Sequence, residues 1–521
     1  MRLYGPHFCF IIREYNSRDL LVEEVYMAYA GLDVGTSGCK ILVYDLKGNV
    51  LFEASRKYKE LGEGGIREID PSEILLHIKS VLREVGENCP EKIEAMAVTS
   101  LGESVVCLDE NDQSLCNSMV VGDQRGIEEV KRLIDAVGRE KILDITGLPP
   151  SEMYGLPKYM WINDNTDAIK NAKAILYYED FVGYTLTGIR KVSYSSASRS
   201  MAFDIEKKQW SEELLSYAGI KVSQMSEPAD AGTVIGTIKA DVAEELKLNP
   251  GMKVVVGGHD QSCAALGSGL NRLDVGECGM GTCEFMFMML PKAQKTTYMI
   301  EKDLTCVPYV LPDKYLTSTM LTTCGILKNW SIDTVLKGIK MECEANGKDF
   351  FQYVDSLIDG KETDVLMLPQ FGSSGNPDIN YDVFGTITGL NVHTKAEEIY
   401  QAILECMAFQ MLLGYESTKE IGANISKIIC TGGGAKSKVT LQMRADIFNL
   451  DVATINSEES GTLGCAILAA TGSGAYESIQ DAIDNMVQIK DVYHPNKERQ
   501  PYYQKKYQKF KELYDKMHLF K

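Results

Sequence analysis

Three short stretches of the chain combine glycines with groups that can bind or move a phosphate. The first is Asp33-Val34-Gly35-Thr36-Ser37-Gly38-Cys39-Lys40. Its glycines let backbone N–H groups turn toward an anion, Thr36 and Ser37 add hydroxyl donors, and Lys40 supplies a cation. Asp33, at a strand end, is placed to hold a hydrated Mg2+ beside such phosphates. No Walker pattern is present, and a glycine-rich hairpin turn without ligand explains the same residues. The second stretch is Gly257-Gly258-His259-Asp260-Gln261. An aspartate at a strand end is ionised at neutral pH and can accept a proton from an attacking hydroxyl. The competing reading is a turn Asp that caps a helix beginning near Ser262, with His259 packing beside it. The third is Cys430-Thr431-Gly432-Gly433-Gly434-Ala435-Lys436-Ser437, where three glycines permit close approach of a flat or anionic ligand, or simply make a tight turn. Glu459-Ser460-Gly461-Thr462-Leu463-Gly464-Cys465-Ala466 starts a small-residue helix, read as close helix packing.

These stretches need strands before them and helices after them. Tyr29–Asp33, Lys40–Asp45 and Val50–Tyr58 read as a meander. Asp70-Pro71-Ser72 opens a helix with Ile74, Leu75, Ile78, Val81 and Leu82 on one face. A strand follows at Ile93–Thr99, then a short hairpin strand at Val105–Leu108, and helices span Gly126–Ile145. A second strand-rich start comes halfway along: Lys253–Gly257, a helix Cys263–Gly269, and a hairpin Asp274–Met289 around Gly281-Thr282. A further strand is expected at Ile425–Ile429. Strands interleaved with helices make the chain α/β. The boundary between two units falls near Leu270, giving residues 27–270 and 271–521 with a long shared cleft. Pro501–Phe520 reads as a helix whose charges form a solvated face.

Composition narrows the classes. Across 521 residues, 54 Lys+Arg against 73 Asp+Glu give a net charge of -19. Such a surface repels phosphate backbones and anionic lipid, which argues against a nucleic-acid or membrane partner. No apolar run reaches the ~20 residues that span a bilayer. The 14 cysteines and 6 histidines are scattered, without a Cys-x-x-Cys pair, so a zinc site is not expected and reduced thiols in a cytoplasmic protein are. Met1–Tyr26 lacks a signal-peptide pattern. Glu23-Glu24-Val25 can be encoded with a ribosome-binding sequence just ahead of Met27, so residues 1–26 are expected to be a mis-assigned start.

Taken in order, the motifs resemble the FGGY carbohydrate kinase family from Ala28 to about Tyr476. The most specific stretch is Gly385-Thr386-Ile387-Thr388-Gly389-Leu390 with Glu398-Ile399-Tyr400-Gln401-Ala402-Ile403-Leu404-Glu405. It looks like the family's C-domain signature and reads physically as packing through Ile399, Ala402 and Ile403. The resemblance implies two ribonuclease-H-like domains of the actin/hexokinase type, with ATP and a small sugar or polyol meeting in the interdomain cleft. It implies Asp260 as catalytic base with Gln261 beside it, and Gly35, Thr36, Ser37 and Lys40 as the first phosphate loop with Asp33 near Mg2+. Gly281 and Thr282 then form the second phosphate loop, and Gly432, Gly433, Gly434 and Ser437 the ATP adenosine side. Gly102, Glu103 and Ser104 occupy the first sugar loop, Asp123 and Arg125 match an Asp-x-Arg element beside the sugar, and Lys158-Tyr159-Met160-Trp161 matches the N-domain signature.

The sequence also departs from the family pattern. Val121 stands where a Trp is usual, Gly155 where Pro, Ser or Thr is preferred, and Leu101-Gly102-Glu103-Ser104 is neither the xylulose-kinase nor the glycerol-kinase loop. The sugar therefore stays open, with a ketopentose such as xylulose favoured. A homodimer is within the expectation for sugar kinases of this type. Two other classes compete: a nucleotide-gated binding protein of the actin/Hsp70 type, and a catalytically silent sugar-responsive regulator.

Overall fold

A computed structural model describes residues 27–380 and 382–518. The expected N-terminal extension, residues 1–26, lies outside them. Two mixed sheets share one strand plan. The first has the order Val234–Thr237, Lys253–His259, Ile93–Ser100, Ala28–Val34, Gly38–Tyr44, Val50–Lys57. The second runs Val307–Pro308, Tyr315–Leu321, Glu284–Leu290, Val275–Met280, Lys427–Thr431, Asp451–Ile455, Ile489–Tyr493. In each, an antiparallel meander leads into three parallel strands. In the first sheet these are Ala28–Val34, Ile93–Ser100 and Lys253–His259. In the second they are Val275–Met280, Lys427–Thr431 and Asp451–Ile455.

Local chemistry sets the elements. Asp45 closes the turn between the second and third strands, its carboxylate accepting from the amides of Lys47 and Asn49 at 2.8 and 2.9 Å. Asp70 caps the helix Pro71–Asn88 by accepting from Ser72 N at 2.8 Å, with Pro71 in the first turn. Ile74, Ile78, Val81 and Leu82 of that helix are buried, and Leu75 is half-buried.

Four expectations change. Val105–Leu108 pairs with Ala174–Tyr177 instead of forming a hairpin. The strand expected at Ile425–Ile429 begins two residues later, at Lys427. In the signature helix Ala396–Lys419, Ala402 and Ile403 are buried but Ile399 is only half-buried, while Glu405 is fully enclosed. The last helix, Gln500–His518, is not simply solvated on its charged face: Lys506 is buried and ion-paired with Glu405. The helix periodicity was clear from the sequence, but Lys506 meets its partner 101 residues away.

The helix Ser460–Ser473, late in the chain, lies on the first sheet against Ala28–Val34, Ile93–Ser100 and Lys253–His259. Backbone meets backbone there. A Cβ on Gly31 would sit 1.9 Å from Thr462 O, one on Gly464 2.0 Å from Cys263 O, and one on Gly267 1.9 Å from Ser460 O. The small-residue reading of this helix is therefore correct: it packs closely on the helix Asp260–Gly267 and on the strand Ala28–Val34 of the first sheet. Gly31→Val cannot be seated without moving main chain, a change that costs 1–3 kcal/mol or more. The thermal midpoint should fall by several degrees, and an unchanged midpoint would show that the contact is slack.

Candidate active site

Three acids come from the carboxyl ends of the three parallel strands in the first sheet, where open α/β sheets bind their ligands. Asp33 ends Ala28–Val34, Glu103 follows Ile93–Ser100, and Asp260 follows Lys253–His259. The register aligns Asp33 with Thr99 and Thr99 with Gly258, and Thr99 Oγ1 donates to Gly258 O at 2.9 Å.

Asp260 is the first residue of the helix Asp260–Gly267, so it is not a cap lying ahead of a helix at Ser262. Its Oδ1 accepts from Gln261 N at 2.6 Å and lies 3.0 Å from His259 Nε2. Among the described residues nothing bonds Oδ2, and 42% of the side chain is exposed. Burial pushes its carboxyl up to about 7, with Asp33 and Glu103 adding to the rise and the Gln261 amide and Arg199 opposing it. Burial and Arg199 push His259 down to about 3, so its imidazole is neutral at pH 7. Behind this strand end, His259 N donates to Ser195 Oγ at 3.1 Å, and Ser193 and Ser196 bond the buried Glu179. Asp260 thus sits on a buried platform of linked serines and Glu179.

In the first glycine loop, Gly35 N donates to Gly38 O at 3.0 Å, and Tyr58 OH donates to the carbonyls of both glycines. Thr36 is half-buried and Ser37 exposed. Lys40 lies opposite Asp33 in the ladder, with Nζ 3.9 Å from its Oδ2, and is ion-paired with Glu459. Burial raises Asp33 to about 6, Lys40 lowering it and Glu459 raising it further.

The second sheet repeats the arrangement. Gly281 and Thr282 are exposed in the turn after Val275–Met280, supported by Gly325, whose N–H donates to Thr282 O at 2.8 Å. Gly432, at φ +80°, follows Lys427–Thr431, and a Cβ on Gly434 would meet Met280 Cβ at 2.8 Å. A cavity of about 690 Å³ opens here, lined by Thr431, Gly432, Gly433, Asn456, Glu459 and Tyr493, among others. Glu459 therefore borders this cavity while holding Lys40 of the first loop, so the two sets of strand ends meet.

Several expected site residues are held by partners of their own. Ser104 Oγ donates to Met119 O at 2.6 Å. Asp123 is enclosed: Arg125 Nε and Nη2 bond its two oxygens at 2.9 and 2.6 Å, and the Arg67 amide adds a bond at 2.9 Å. Arg125 in turn stacks over Trp161, 4.7 Å from the ring centroid. Ser437 caps the helix Lys438–Phe448 and donates to Asp355 Oδ2 at 2.8 Å. Val121 is exposed. Gly155 is explained by Tyr159, whose hydroxyl would lie 2.2 Å from a Cβ there.

Arg199, which the sequence did not single out, completes the arrangement together with Lys158 of the N-domain signature. Arg199 is ion-paired with Glu103, its Nε donating to Oε1 at 2.7 Å. Burial alone would raise Glu103, but Arg199, then His259 and Lys158, hold it below the usual carboxylate range. Lys158, itself lowered by burial, donates to Val120 O and Met153 O at 3.3 and 3.0 Å. The serine-rich run around Arg199 gave no signal, because its partner Glu103 lies 96 residues earlier.

Two like-patterned sheets whose strand ends meet at glycine loops and acids make an α/β fold of the ribonuclease-H-like, actin/hexokinase type. Comparison with known proteins makes the class specific. The sequence profile of the "FGGY family of carbohydrate kinases, N-terminal domain" matches residues 28–267, and that of its C-terminal domain residues 276–473. A xylulose kinase of Lactococcus lactis subsp. lactis is 27% identical over 493 residues, 93% of this chain and 96% of that protein. The crystal structure of ligand-bound xylulose kinase from Lactobacillus acidophilus superposes with a TM-score of 0.85 at 22% identity, covering 95% of this chain and 100% of the other. A gluconate kinase structure from the same organism gives 0.84 at 22% identity, with coverage of 95% and 100%. This chain belongs to the FGGY family of carbohydrate kinases, phosphotransferases that act on sugar hydroxyls. Among the described residues no helix is long and apolar enough to cross a membrane.

Proposed function

We propose that this protein transfers the γ-phosphoryl group of ATP to a hydroxyl of a small sugar or polyol, a ketopentose such as xylulose being favoured, with Asp260 as general base. The observation that carries this reading is the geometry of Asp260: it follows a strand end beside those of Asp33 and Glu103, with Oδ1 held by two neighbours and Oδ2 open. Oδ2 takes the proton of the attacking hydroxyl as its oxygen bonds the γ-phosphorus and the bond to ADP breaks. Proton transfer is late, because the transition state of phosphoryl transfer is loose. Thr36, Ser37, Gly281 and Thr282 surround the moving charge with hydroxyls and amides, and the cavity at Gly432 and Gly433 takes the adenosine. Residues 27–270 and 271–521 serve as the two lobes, with the helix Ser460–Ser473 reaching across between them.

The acids fit Mg2+ as a companion of ATP. Among the described residues no group of three or more His, Cys, Asp or Glu forms a metal cage. Mg2+ bound with a nucleotide needs only one or two carboxylates beside phosphate oxygens and waters. Asp33, with its half-buried carboxylate and Lys40 alongside, would hold it, and Mg2+ would supply charge neutralisation at the phosphates.

Activity should follow the protonation of Asp260. A general base works only when deprotonated, and this one has a raised pKa, so kcat/KM for the sugar should rise with pH through about 7 and level off above. A profile flat from about pH 5.5 to 8.5 would remove Asp260 from the role.

The reaction itself is tested by ADP release with MgATP across ketopentoses, ketohexoses, aldoses, polyols and sugar acids. One compound should lift turnover far above the sugar-free rate. A response to none of them, over a steady background of hydrolysis, would favour the nucleotide-gated binding reading.

A further inference from the structure

We infer that the Arg199–Glu103 ion pair sets the charge class of the substrate, admitting neutral polyhydroxy compounds and refusing sugar acids. The inference rests on the kinase reading above and concerns the same pocket. Arg199 follows the helix Tyr194–Ser198, its N–H donating to Ser196 O at 3.0 Å and its carbonyl accepting from Gly155 N at 3.1 Å. Nε and Nη2 both bond Glu103 Oε1, and the guanidinium carbon lies 4.9 Å from the Tyr154 ring centroid. A Cβ on Gly102 would stand 2.7 Å from Arg199 Cγ and 2.5 Å from His259 Cδ2. The sugar loop is glycine at that point because these two side chains already fill the space.

The pair fixes what remains for a ligand. Both guanidinium bonds end on Oε1, so among the described residues Glu103 Oε2 has no partner and is left as an acceptor for a substrate hydroxyl. The nearby cations are all engaged. Arg199 is neutralised by Glu103, Lys40 by Glu459, and the Lys158 ammonium is enclosed among carbonyls. Asp33 and Asp260 on the neighbouring strand ends bring no positive charge to the pocket. Among the described residues a ligand carboxylate would find no free cation and would meet Glu103 Oε2, an acceptor with no proton to offer, and such unpaired like-charged contacts are an effective means of rejection. A neutral sugar meets only hydrogen-bonding groups.

The test compares wild type, Glu103→Gln, Glu103→Asp and the double variant Glu103→Gln/Arg199→Gln. Each is assayed for kcat/KM on the best neutral sugar of the panel, on D-gluconate and D-xylonate, and for the KM of MgATP. Wild type should favour the neutral sugar by about 100-fold or more, or about 3 kcal/mol. Glu103→Gln frees the Arg199 charge and should narrow that ratio at least ~10-fold. Glu103→Asp, which keeps the charge, should hold it, and the double variant should widen it again. KM for MgATP should stay within about twofold, which a general loosening of the lobe would not allow. Equal use of sugar acid by wild type, or an unchanged ratio in Glu103→Gln, would overturn the inference. Wild type that phosphorylates neither class sinks the kinase reading instead. In that event a thermal shift of wild type by D-gluconate and not by neutral sugars would overturn the charge-class inference as well, and the reverse pattern would support it.

Discussion

Asp260→Asn should lower kcat by about 10²- to 10⁴-fold, the range for removal of a positioned general base. The fold should survive. Asparagine is isosteric, its carbonyl oxygen can still accept from Gln261 N, and the side chain is partly exposed. KM for the sugar should change little, because the substitution leaves Glu103 and Arg199 in place. The pH dependence should change too: the rising limb near 7 should disappear from the residual activity. Retention of more than about a tenth of the wild-type kcat would mean that the hydroxyl loses its proton elsewhere.

The second large effect lies far from the chemistry. Lys506 and Glu405 are both buried, with side-chain exposures of 7% and 1%. Lys506 Nζ also donates to Thr363 O at 2.7 Å, and Tyr502 OH bonds Glu405 Oε1 at 3.1 Å. This pair fastens the last helix to the signature helix Ala396–Lys419. Lys506→Met would leave Glu405 as an uncompensated buried charge, a change that costs about 3–5 kcal/mol. Urea unfolding followed by far-UV circular dichroism should show an early transition of the second lobe. The double variant Lys506→Met/Glu405→Gln should recover much of the loss, since the charge is gone with its partner. Equal stability of the single and double variants would show that the pair is not coupled.

What could be read from the chain and what could not divide along sequence distance. The two glycine–threonine turns, Gly35-Thr36 and Gly281-Thr282, sit between strands that are neighbours in sequence, so the local pattern determines them. The position of Asp260 at a strand end was equally local, although its place in the first helical turn and not ahead of it shows only in the backbone. Asp123 illustrates the opposite case. Its neighbour Arg125 was visible two residues on, but the Arg67 amide that completes its enclosure comes from 56 residues away. Glu459 and Lys40 are separated by 419 residues, and nothing in either stretch points to the other. Side chains that position the acids come from such long-range contacts, whereas glycines and strand ends announce themselves.

The most direct measurement is phosphorus NMR of wild type with MgATP and the panel sugar that turns over best, beside Asp260→Asn. The expected result is a sugar-phosphate resonance growing in step with ADP in wild type and nearly absent in the variant. ADP accompanied only by inorganic phosphate, at the same rate with and without sugar, would contradict it.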